Sequence, residues 1–128
     1  MVARILDEKR ITGGESLLEA LDEAGLKVNA AFWFLFPDFE QWRLVISLPK
    51  LEAKGPRHAY EEVQKVLRKA NDATSIALSD VTIAPKKSRL LELLRSAVKT
   101  GPGISRIRFS DNVVNGQYIT DALIYRLN

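Results

Sequence analysis

Seven basic side chains crowd one stretch of the chain: Lys86, Lys87, Arg89, Arg95, Lys99, Arg106 and Arg108. Gathered on one surface, they would bind the phosphates of a nucleic acid or another polyanion, chiefly by releasing its counterions. Such binding weakens steeply with salt and varies little with base sequence. The spacing permits the patch, because Arg95 and Lys99 lie one helical turn apart. Arg106 and Arg108 share one face of a strand, with Ile107 and Phe109 on the other. Charge is unevenly spread: residues 1 to 53 hold six basic and nine acidic side chains, net −3, whereas residues 54 to 109 hold twelve and five, net +7. The whole chain carries only +3, which is mild for a dedicated nucleic-acid binder, and Glu92 falls among the cations. The ordinary alternative is that lysine and arginine coat the solvated faces of a helix and a strand. No nucleic-acid motif accompanies them, since the aromatic strand described below lacks the glycine and basic pattern of an RNA-recognition sheet.

Thr100-Gly101-Pro102-Gly103-Ile104-Ser105-Arg106 has the glycines of a phosphate loop but the wrong polarity. Phosphate-cradling glycines precede a helix and present its free amides, whereas these follow one and meet its carbonyl end. They read as a helix stop and strand entry. The absence of cysteine removes disulfides, thiolate zinc sites and thiol nucleophiles. A single histidine cannot form a multi-histidine metal site, and His58, beside Arg57 at a helix start, reads as a surface residue.

Asp38 in a turn, followed by Glu52-Ala53-Lys54, is similar to the acidic-residue and Glu-x-Lys signature of the restriction-endonuclease-like nucleases. That resemblance implies a Mg²⁺-dependent phosphodiesterase in which Asp38 and Glu52 hold the metal and Lys54 positions the attacking water. Hard Mg²⁺ prefers such oxygen ligands and lowers the pKa of bound water. In the family, however, the Glu-x-Lys lies within a strand. Here Pro49 ends the strand and Lys50 to Gly55 reads as a connecting loop, which places Asp38 and Glu52 at opposite ends of one strand. The chain is therefore not assigned to that family.

The elements that position these residues start from the aromatic run Ala30 to Phe36. It is apolar on both alternating faces, as in a strand covered on both sides. Gln41 to Leu48 alternates, with Trp42, Leu44, Ile46 and Leu48 on one face, and the four-residue link Pro37-Asp38-Phe39-Glu40 makes an antiparallel hairpin. Trp33, Trp42 and the phenylalanines read as core. Phe39, at the turn tip, is the exception and a candidate protein contact. Thr12-Gly13-Gly14-Glu15 has the capping-box pattern for a first helix ending at Gly25, with an alternative start near Asp7. Gly55-Pro56 opens a second helix, Val81 to Ala84 is a short strand, and Ser88 caps a third helix whose Leu90, Leu91, Leu94, Ala97 and Val98 face the core. Ile104 to Val114 and Gln117 to Leu127 flank Asn115-Gly116, a strong type I′ hairpin signal, with a bulge or bend at Asp111-Asn112.

The expected fold is thus a single α+β domain over residues 1 to 128: a largely antiparallel sheet of about five strands with two hairpins, packed by three helices in the order αββαβαββ. No apolar run reaches the roughly 20 residues that cross a bilayer, and no signal peptide is visible, so the default expectation is a cytoplasmic protein. Without catalytic, metal-ligating or cofactor-binding clusters, the leading functional expectation is a non-enzymatic protein that works by association. Its contacts would be the sheet edge or the Phe39 loop, with a partner or with a second copy of the chain. Nucleic-acid binding through residues 86 to 108 is the alternative, and the nuclease-like enzyme the second.

Overall fold

The computed structural model describes residues 5–70, 75–85 and 87–128, and it is a mixed α+β fold around one five-stranded sheet. Helix α1 runs Glu8–Glu23, capped by the Asp7 carboxylate, which accepts from the Arg10 amide at 2.9 Å. Thr12 is consequently inside the helix, where its hydroxyl reaches Glu8 instead of capping. The earlier of the two expected starts is the real one. β1 (Ala30–Phe36) and β2 (Gln41–Ser47) form the aromatic hairpin. A four-residue helix, α2 (Pro49–Glu52), replaces the expected loop, because Pro49 sits at a first helical position where no amide is needed. There follow α3 (Pro56–Ala70), a 3₁₀ turn (Leu78–Asp80), β3 (Val81–Ile83), α4 (Arg89–Ala97), β4 (Ile107–Val114) and β5 (Gln117–Leu127).

The strand order is β3-β2-β1-β5-β4, antiparallel throughout except for the parallel pair β2 and β3. β1 is central, and its first six residues are buried, as its doubly apolar pattern requires. One face presents Trp33, Leu35, Trp42, Leu44 and Ile46 to α1 and α3, whose Leu17, Leu18, Leu21 and Val63 are buried against them. The other presents Phe32, Phe34, Val45 and Ile124 to α4, through Leu91 and Leu94. Ala97, expected inward, is exposed, since it lies off the Leu91–Leu94 stripe at the helix end.

Two irregularities shape the sheet. Pairing of β1 with β5 slips by one residue between Ala31 and Phe32, leaving Tyr125 as an extra residue in β5. Side chains alternate along a strand, so the slip reverses everything after it. Arg126 is turned toward α1 and Leu127 joins the α4 side. Asp111, by contrast, adopts φ +48° without shifting the β4–β5 register, which is a bend and not a bulge. Beyond it the hairpin is no longer paired to β1, and it leans on α4: Val114 and Ile119 enter the α4 core, and the Asn115 amide donates to Ser96 Oγ at 3.3 Å. Asn115 and Gly116 both have positive φ, as the type I′ turn demands.

Candidate interaction surface

The six described basic residues of this set do not gather on one face. Lys86 lies outside the described residues. Lys87 and Arg89 are exposed at the start of α4, Lys99 is exposed beyond its end, and half-buried Arg95 donates Nε to the Asn128 carbonyl at 2.7 Å. Arg106 and Arg108 emerge on the opposite face of the sheet. The reason is the alternation itself: Ile107 and Phe109 pack toward α4, so their neighbours must point away.

On that far face both arginines are neutralised. Arg106 donates to two carboxylates of α1, Glu8 at 2.9 Å and Glu15 at 3.0 Å, and these hydrogen bonds, that to Glu15 foremost, hold its guanidinium above the ordinary arginine value. Arg108 grips Asp121 with two parallel bonds of 2.7 and 2.6 Å. Burial opposes the Asp121 charge, but the bonds from Arg108 and Ser110 outweigh it and keep the carboxyl below its usual range. These are fastenings between β4 and its neighbours, so the expected single phosphate-binding patch is corrected to a few separate cations around α4.

Asp38, Glu52 and Lys54 are not brought together either. Phe36 pairs with Gln41 at the turn that carries Asp38, and Ala30 pairs with Ser47 at the other end, beyond which α2 carries Glu52. Seven strand residues separate the ends by about 23 Å, several times the span of one shared metal. The nuclease-like arrangement fails on that length. His58 falls in the first turn of α3, half-buried. The glycine loop after α4 is stitched to β5, with Thr100 N donating to the Leu127 carbonyl, Ser105 N to that of Tyr125, and the Gly103 carbonyl accepting from Arg126. It acts as the strand entry expected from its polarity.

Among the described residues the exposed large apolar side chains are Ile5, 68% exposed ahead of α1, and three residues on the two hairpins. Phe39 is 61% exposed, and its ring lies 5.7 Å from Phe36, which meets Phe34 edge-on at 4.8 Å, which in turn meets Phe32 at 6.3 Å. A row of four rings thus leads from the core to a solvent-facing tip. On the β4–β5 hairpin, the cross-strand pair Val113 and Tyr118 is 64% and 60% exposed. The Tyr118 hydroxyl donates to Asp111, and that bond raises the phenol above its ordinary pKa. β4 is the outer strand of the sheet on this side. Between this hairpin and α4 lies an open cleft of about 440 Å³ lined by Arg89, Leu90, Glu92, Leu93, Asn115 and Gln117.

Sequence reasoning missed the tight seam beneath α1. Trp33 Nε1 donates to Tyr125 Oη at 3.0 Å, and that hydroxyl donates to the Ile11 carbonyl. Burial pushes the tyrosine well above its ordinary pKa, so it remains a neutral donor. Gly14 lets the helix descend onto this pair, and the sequence signal was the otherwise unhelpful glycine pair in a helical pattern. No family model, curated protein or solved structure matches this chain.

Proposed function

We propose that this chain is a non-catalytic domain that works by associating with another protein, through the apolar surface that its two hairpins expose. The observation that carries the reading is the ring row ending in Phe39. A phenylalanine at a turn tip, supported from behind by a buried aromatic ladder, is a rigid apolar anchor, and such anchors dominate association energies when a partner desolvates them. Val113 and Tyr118 supply the same kind of surface on the edge hairpin. Among the described residues no helix is long and apolar enough to cross a membrane.

Sedimentation across a wide concentration range, paired with cross-linking in cell extract, tests the reading with Phe39→Ser and Tyr118→Ser. The expected result is an association, with itself or with one recovered protein, that either substitution weakens at least tenfold while the circular dichroism and unfolding midpoint stay unchanged. A monomer that recovers the same proteins as its Phe39→Ser variant would overturn it.

Polyanion binding is the second reading, and it is supported by Lys87, Arg89 and Lys99, which form no ion pair among the described residues. With three cations the logarithm of affinity should fall against that of salt with a slope of about −2 to −3. Titration of labelled single- and double-stranded DNA and RNA at low salt measures it. No binding there would remove this reading.

A further inference from the structure

We propose that the cleft between α4 and the β4–β5 hairpin is a binding site for a short zwitterionic peptide, with Arg89 receiving its carboxylate and Glu92 its ammonium. The volume of about 440 Å³ falls within the range of small-ligand sites, roughly 300–1,000 Å³. Its chemistry is mixed in a specific way. Leu90 and Leu93, half-buried and packed on the α4 core, give it an apolar floor. Asn115 and Gln117 bring side-chain amides from the hairpin, each able to donate and accept, as a peptide bond requires of its receptor.

The two charges are the decisive feature. Arg89 and Glu92 are three residues apart on one helix, a spacing at which opposite charges meet. On α3 the same spacing closes, with Lys65 and Glu62 at 3.0 Å. On α4 no such pair forms, and both side chains line the cleft. Opposite charges that line one cleft without pairing with each other, beside an apolar floor, complement a ligand that carries both signs at its two ends. A guanidinium takes a carboxylate through two parallel bonds. Glu92 also disfavours a purely anionic ligand, which separates this site from the phosphate-binding reading.

The inference rests on the cleft alone and is independent of association through Phe39. Titration of the full chain with leucyl-leucine tests it, followed by the NMR shifts of the Asn115 and Gln117 side-chain amides. Saturable shifts are expected, with binding weakened about tenfold or more when the carboxylate is amidated or the amine acetylated. Arg89→Gln should abolish the discrimination against the amidated form, and Glu92→Gln that against the acetylated form. Both residues are exposed, so neither change threatens the core. No saturable shift at millimolar peptide, or equal binding of all three forms, would overturn the proposal.

Discussion

Gly14→Ala is expected to lower the unfolding free energy by about 2 kcal/mol, although alanine is the better helix former. The intrinsic gain is about 1 kcal/mol. Against it, a Cβ at this position would lie 2.5 Å from Tyr125 Oη and 2.8 Å from Trp33 Nε1. Both rings are fully buried and cannot swing aside, so α1 must rise or the rings must shift, at the roughly 1–3 kcal/mol of an overfilled core. Two buried hydrogen bonds are disturbed as well, each worth about 1 kcal/mol. Urea unfolding measures the loss, and a double-mutant cycle identifies its source. In a Tyr125→Phe background the nearest atom is gone, so Gly14→Ala should cost clearly less. A Gly14→Ala protein as stable as the parent would refute the account.

Asp22→Ala should cost more, about 3 kcal/mol. Arg126 is only 5% exposed and has one carboxylate, Asp22, bound at 2.8 and 3.0 Å, beside the neutral Gly103 and Val28 carbonyls. Removing the partner of a buried charge costs about 3–5 kcal/mol. The Asp22 side chain is 38% exposed, which lets water reach the cation and places the effect at the lower end. Removing the charge too should restore part of the loss, so Asp22→Ala with Arg126→Met should unfold at higher urea than Asp22→Ala alone. The reverse order would mean that the ion pair does not hold β5 to α1.

The elements were legible where one local rule decides them. Asn115-Gly116 could only turn, Ser88 could only cap, and a strand as apolar on both sides as Ala30 to Phe36 could only be central. What stayed hidden depended on distant partners. The Tyr125 slip has no local signature, because either register of an apolar strand looks equally good in sequence, and with it went the burial of Arg126. The division of the basic residues was within reach: once Ile107 and Phe109 are given to the core beside α4, Arg106 and Arg108 must face away. The cleft was not, because it exists only where a bent hairpin leans on a helix about 20 residues earlier in the chain.

The position of β5 sets the order in which this molecule can be assembled. Its partner β1 precedes it by most of the chain, with Ala30 opposite Leu127, whereas each hairpin closes through a short turn. The hairpins are therefore the fast events and their joining is the slow one, since loop closure over such a separation must be made before any contact rewards it. Until then β1, the most apolar segment, has one side without a neighbour, and a nascent or transiently opened chain displays it to others. A strand so well suited to the middle of a sheet is also the segment most exposed to mispairing, and the time it spends waiting for β5 determines how much of the protein is lost to aggregation.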